Sequence, residues 1–110
     1  MRLHFSGRTA VGALAIAVLA GMGTAHAHTP LFACYDNGDG TIMCEGGFSD
    51  GSSASGVPIR VRDAKGAVVT DGKMNANSEF EFKKPSGDYS VVFDGGEGHQ
   101  IEVPGKDIVK

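Results

Sequence analysis

From residue 31 onward, short segments in which apolar and polar residues alternate are separated by turns rich in glycine. In one such segment, Val57, Ile59 and Val61 alternate with proline and arginine residues. This period of two is typical of a strand with one buried face, and no window shows helical periodicity. Further strands are predicted over residues 31–35, 41–44, 68–73, 78–83, 89–94 and 100–103. Short strands at spacings of about ten residues predict an all-β protein, a small antiparallel β-sandwich.

Two of the later strands carry aromatic residues for the predicted core. Phe80 and Phe82 alternate with glutamates in one strand, and Tyr89, Val91 and Phe93 fall on one face of the next. Because successive side chains of a strand point to opposite faces, we expect Phe80 and Phe82 to point inward together.

The glycine- and serine-rich segment 46–56 does not follow this alternation, and Phe48 is its one large apolar side chain. Such a composition favours a flexible crossover or an irregular edge over a core strand. We therefore expect the regular strand that begins at Thr41 to end at Cys44.

A tight hairpin is predicted around Asp39, because Asn-Gly and Asp-Gly pairs supply the positive φ angles that such turns need. Cys34 and Cys44 each lie five residues from Asp39, so the hairpin sets them directly opposite each other. Opposed residues on antiparallel strands have Cβ atoms about 4.5–5.5 Å apart, near the spacing that a disulfide needs. We expect a Cys34–Cys44 disulfide that contributes about 2–3 kcal/mol to stability.

The N-terminal segment has the three parts of an export signal. Arg2 and Arg8 begin it, and the apolar run that follows is shorter than the about 20 residues that span a bilayer. The triplet Ala25-His26-Ala27 then matches a signal-peptidase site. We expect residues 1–27 to be a signal peptide and residues 28–110 to be one domain, periplasmic or secreted. Cleavage after Ala25 and an uncleaved membrane anchor are the alternatives.

Export also bears on the cysteines and on the surface charge. An oxidising compartment favours the disulfide over two free thiols. Removal of the signal leaves 8 basic and 13 acidic residues, a net charge of −5. This acidic balance argues against nucleic acid and anionic lipid as partners and is compatible with cations. No C-x-x-C, G-x-S-x-G or H-E-x-x-H motif is present, so we expect no enzyme activity.

After cleavage at the expected site, His28 and His99 are the remaining histidines. The α-amine and imidazole of His28 can chelate one ion, and His99 adds a third nitrogen if the fold brings it near. Nitrogen sets of this kind suit Cu(II) or Ni(II). Glu97 is a candidate carboxylate ligand, or an acceptor that orients His99. Cleavage after Ala25 would instead begin the chain at His26 and make His28 the third residue of a square-planar site that needs no fold.

Four short motifs follow one another between residues 55 and 103. They are GVPIRV at 56–61, DAKG at 63–66, TDGK at 70–73 and FEF at 80–82. In this order they resemble the carboxypeptidase-regulatory-like, transthyretin-like β-sandwiches. The motifs form turns and core, so the resemblance implies a fold rather than a function.

A second resemblance joins the start of the mature chain to the end of a late strand. Ala25-His26-Ala27-His28 stands together with a D-x-G-x-G-H segment over residues 94–99. This combination resembles the periplasmic auxiliary components of nickel and cobalt uptake transporters, and it implies a membrane metal transporter as partner. Unlike those components, this chain has no apolar segment near its C-terminus, so we expect a free periplasmic protein. A mature N-terminal histidine is also similar to CopC-like copper carriers, although Met43 and Met74 are isolated.

Together these observations predict an exported protein that binds nickel, cobalt or copper and buffers or delivers the ion in the periplasm. The alternative is a metal-free interaction module of the cell envelope, acting through exposed aromatic residues such as Phe48 and Tyr89. In that case His28 is a disordered terminal residue and His99 belongs to a tight turn. The distance between His28 and His99 in the folded protein discriminates between the two.

Overall fold

The computed structural model describes residues 28–110, which are mostly β-strand. The predicted signal peptide, with its cleavage triplet and His26, lies outside the described residues. The strands are β1 (Pro30–Asp36), β2 (Thr41–Phe48), β3 (Pro58–Asp63), β4 (Val68–Lys73), β5 (Glu79–Lys83), β6 (Tyr89–Asp94) and β7 (Gln100–Pro104), followed by a 3-10 helix over Gly105–Asp107. Within residues 28–110, no helix has the length and apolar character needed to cross a membrane.

The strands form two antiparallel sheets, one ordered β1-β2-β5 and the other β4-β3-β6-β7. This arrangement confirms the predicted all-β sandwich. The edge strands β1 and β7 belong to different sheets and contact each other. At this side of the sandwich, the first strand of the described chain therefore lies beside β7, the strand that follows the β6–β7 turn.

The core lies between the two sheets and is built from the predicted inward faces. Ile59 and Val61 of β3 and Val91 and Phe93 of β6 are fully buried, and Phe82 of β5 is 6% exposed. Full burial of one such side chain stabilises a protein by about 1.5–3 kcal/mol relative to exposure. The period-two pattern therefore identified the residues that hold the sheets together.

The glycine-rich segment after Cys44 differs from the prediction, since β2 continues through it to Phe48. A Cβ at Gly46 would lie 2.9 Å from the Phe93 ring and 3.0 Å from the methyl carbon of Met74. Ala54, further along the same segment, is fully buried. The expectation of a flexible segment was wrong here, because Gly46 serves close packing rather than chain flexibility.

The β1–β2 hairpin has the predicted register, with Cys34 directly opposite Cys44. The two cysteines form a disulfide, and no free cysteine occurs among residues 28–110. Because disulfides persist in oxidising compartments, the bridge indicates an exported protein.

Candidate metal site

The structure places His28 and His99 side by side. Their ring centroids are 5.7 Å apart and their ring planes are inclined by 36°. His28 lies two residues before β1, and His99 lies in the turn directly before β7. The contact between these two edge strands therefore brings together the two histidines that the sequence singled out.

The separation of the rings is compatible with one shared ion. Two imidazoles bound through nitrogen to the same ion have centroids at most about 6.4 Å apart, since each metal–nitrogen bond is about 2.0–2.1 Å long. The observed 5.7 Å falls within this limit.

The His99 ring is held by the turn that carries it. Its Nδ1 lies 3.1 Å from the backbone carbonyl oxygen of Glu97. Because a carbonyl only accepts hydrogen bonds, a neutral His99 ring that makes this contact carries its proton on Nδ1 and its lone pair on Nε2. Metal-binding histidines commonly donate their second ring nitrogen to a backbone carbonyl in this way.

The glycines around His99 serve the turn itself. Gly95 donates a backbone hydrogen bond to the His99 carbonyl at 3.0 Å, and His99 donates one to the Gly96 carbonyl at 2.9 Å. A Cβ at Gly95 would lie 2.8 Å from that His99 carbonyl oxygen, so a side chain does not fit there. The tight turn thus accounts for the glycines, and it fixes where His99 stands.

The two acidic residues of this turn have different contacts. Glu97 contacts the His99 ring through its backbone carbonyl, and Glu97 itself is exposed. The Asp94 carboxylate instead accepts hydrogen bonds from Gln100 and Arg60, each at 3.0 Å. These bonds, with a weaker one from Gly96, hold the pKa of the Asp94 carboxyl below its usual value. Asp94 therefore stabilises the β6–β7 turn rather than facing the histidines.

The segment that carries His28 is fixed to the end of β2. Thr29 donates its backbone N–H to the Ser49 hydroxyl oxygen at 2.8 Å, and Ser49 donates its N–H to the Thr29 carbonyl at 2.8 Å. The His28 ring also packs edge-on against Phe48, with centroids 5.3 Å apart. This pairing continues the β1–β2 ladder past Pro30 and sets the position of His28.

Asp50 is a neighbour of His28 that the sequence analysis missed. Its Oδ2 lies 3.1 Å from His28 Nδ1. Hydrogen bonds from Ser52, together with the nearby His28 ring, hold the pKa of the Asp50 carboxyl below its usual value, so it is ionised at neutral pH. The contact depends on β2 reaching Phe48, so only a correct end of β2 could have revealed it.

Within residues 28–110, no group of three or more His, Cys, Asp or Glu side chains is already arranged to hold a metal ion. The two cysteines are bonded to each other and offer no thiolate. The contacts described above bring the imidazoles of His28 and His99 together and place the Asp50 carboxylate next to His28. The predicted cleavage after Ala27 would add the α-amine of His28.

Comparisons with protein-family models, with curated proteins and with solved structures found no match.

Proposed function

We propose that this is an exported protein that binds one transition-metal ion through His28 and His99. The observation that carries the proposal is the 5.7 Å separation of the two rings across the β1–β7 edge. The two residues come from near opposite ends of the mature sequence, and the sandwich supplies the rigid frame between them. In the alternative in which both histidines are incidental, nothing requires them to meet.

The donor atoms favour copper or nickel, with cobalt as the third candidate. The α-amine and Nδ1 of His28 chelate the ion, and Nε2 of His99 supplies the third nitrogen. Tetragonal sets of nitrogen ligands suit Cu(II) and Ni(II). Cleavage after Ala27 is required for this set, because only then does His28 have a free amine.

The location of the site supports a role in buffering or delivery in the periplasm. His28 is exposed and His99 is half-buried, so an ion held between them remains accessible to a partner protein. The disulfide agrees with an exported location. The resemblance of the D-x-G-x-G-H segment to nickel and cobalt uptake components extends the proposal to a membrane metal transporter as recipient.

The metal-free interaction module is supported by a different surface. Leu31 and Tyr35 on β1 are 53% and 37% exposed. Phe48 and Tyr89, which that hypothesis expected to be exposed, instead pack against the core and are partly buried. The exposed apolar residues available to such a partner therefore lie on β1 and also on β4, where Val68 and Val69 are exposed.

The test is a titration of the mature protein, whose start is verified by intact mass, with Cu(II), Ni(II), Co(II) and Zn(II). We expect one tightly bound ion per chain and an affinity at least about tenfold lower in His99→Ala. Glu97→Gln is the matched control in the same turn. It keeps the backbone carbonyl that contacts His99, so we expect it to bind the ion with the wild-type affinity. An absence of stoichiometric binding, or identical affinities for wild type and His99→Ala, would contradict the proposal.

A further inference from the structure

A carboxylate, that of Asp50, lies next to His28. Asp50 Oδ2 is 3.1 Å from His28 Nδ1, and both side chains are 48% exposed. An exposed ion pair of this kind contributes little to the stability of a folded protein. The contact is therefore not needed to explain how the fold is held together.

We infer that Asp50 supplies an oxygen ligand to the same metal ion, an inference that rests on the function proposed above. Ligand atoms bonded to one ion at about 2.0–2.2 Å and at right angles to each other are about 3 Å apart. The Nδ1–Oδ2 distance of 3.1 Å matches this spacing.

The Asp50 carboxylate is already oriented for this role. Its Oδ1 accepts hydrogen bonds from the Ser52 backbone N–H at 2.9 Å and from the Ser52 hydroxyl at 2.6 Å. These bonds occupy one oxygen and leave Oδ2 directed at His28. Ligating carboxylates are commonly held by hydrogen bonds to their other oxygen in this manner.

The neighbouring backbone fixes the distance between the two ligands. Ser49, which precedes Asp50, is joined to Thr29, which follows His28, by the two reciprocal hydrogen bonds of 2.8 Å. His28 and Asp50 thus lie on neighbouring segments of one extended hairpin. With His99, the donor set becomes three nitrogens and one oxygen, and the carboxylate neutralises one charge of a divalent ion.

The chain contains a matched control for a test of Asp50. Asp39-Gly40-Thr41 has the same turn as Asp50-Gly51-Ser52: Asp39 Oδ1 accepts hydrogen bonds from the Thr41 backbone N–H at 3.0 Å and from the Thr41 hydroxyl. Asp39 lies at the opposite end of the β1–β2 hairpin from His28. Asp→Asn at either position removes one negative charge and retains an oxygen that can accept both hydrogen bonds.

The experiment measures Cu(II) affinity by competition, and the electron paramagnetic resonance spectrum, for mature wild type, Asp50→Asn, Asp39→Asn and His99→Ala. We expect Asp50→Asn to lose at least about tenfold in affinity and to change the copper hyperfine pattern, with unchanged thermal stability of the metal-free protein. Asp39→Asn should match wild type in both affinity and spectrum.

The outcomes separate the two proposals. If wild type binds copper in a way that depends on His99 and Asp50→Asn has the wild-type affinity and spectrum, the Asp50 ligand is excluded and the two-histidine site stands. If Asp50→Asn and Asp39→Asn weaken binding equally, the effect is one of net charge and Asp50 is not a ligand. If wild type binds no copper, both proposals are overturned.

Discussion

At the scale of single residues, Gly46 shows how the composition of a segment can suggest the wrong structure. The run of glycines and serines after Cys44 predicts a flexible crossover or an irregular edge, yet Gly46 lies within β2, and the Phe93 ring and Met74 occupy the space that a Cβ at Gly46 would need. The composition of a segment does not show which distant residues will pack against it in the folded protein. The end of β2 and the position of Asp50 could therefore not be predicted from the sequence pattern.

We predict that Gly46→Ala destabilises the protein by about 1–3 kcal/mol, because the added methyl overpacks the core at a site with no free space. Urea unfolding measures this loss. Gly47→Ala is the control, since a Cβ at Gly47 would meet its nearest atom, the Ser52 carbonyl oxygen, at 3.9 Å. Equal stabilities of the two variants would refute the packing role of Gly46.

At the scale of elements, the β1–β2 hairpin was predictable because each local signal agrees with the others. Two turn glycines have positive φ angles of 82° and 94° in the connection, and the cysteines meet across the ladder at the expected register. The alternation of Ile59 and Val61 with arginines gave β3 in the same way. The local pattern thus predicts where a strand occurs and which of its side chains point to the core, since successive side chains point to opposite faces.

For the hairpin, we predict that replacing both cysteines by alanine lowers the free energy of unfolding by about 2–3 kcal/mol, because the bridge restricts the unfolded chain. Urea unfolding of the double variant and the oxidised wild type measures the difference. Cys44 is fully buried, so alanine is preferred to serine, which would bury an unpaired hydroxyl. A double variant as stable as wild type would show that the bridge is dispensable.

At the scale of the whole molecule, each sheet has an ion pair of its own, in addition to the core that lies between the sheets. Lys84 Nζ lies 2.9 Å from Asp36 Oδ2, and Arg60 lies 3.0 Å from Asp94 Oδ2. The hydrogen bond from Lys84 holds the pKa of the Asp36 carboxyl below its usual value. Hydrogen bonds from Gln100 and then Arg60 do the same for Asp94.

Because these carboxyls have lower pKa values folded than unfolded, their stabilisation is present above about pH 4 and is lost as the pH falls through the folded values. We therefore predict that the melting temperature decreases steadily below about pH 4. Asp94→Asn should show a smaller decrease, and Asp88→Asn, on an exposed turn, should follow wild type. A melting temperature that stays constant from pH 6 to pH 2 would contradict this account.

The proximity of His28 and His99 also depends on the fold of the whole molecule. The sequence supplied both candidates through the cleavage site and the D-x-G-x-G-H segment, but their proximity depends on β1 and β7 being adjacent edges of different sheets. No local pattern specifies which edges of a sandwich meet. The sequence therefore identified the two candidate residues, but only the topology of the folded protein shows that they are close together.

The most direct test of a shared ion is the number of imidazoles bound to it. X-ray absorption spectroscopy of the Cu(II)-loaded mature protein, beginning at His28, counts these ligands through their outer-shell scattering. The account predicts two imidazoles in wild type and one in His99→Ala. A single imidazole in wild type, or a count unchanged by His99→Ala, would contradict the claim that His28 and His99 bind one ion together.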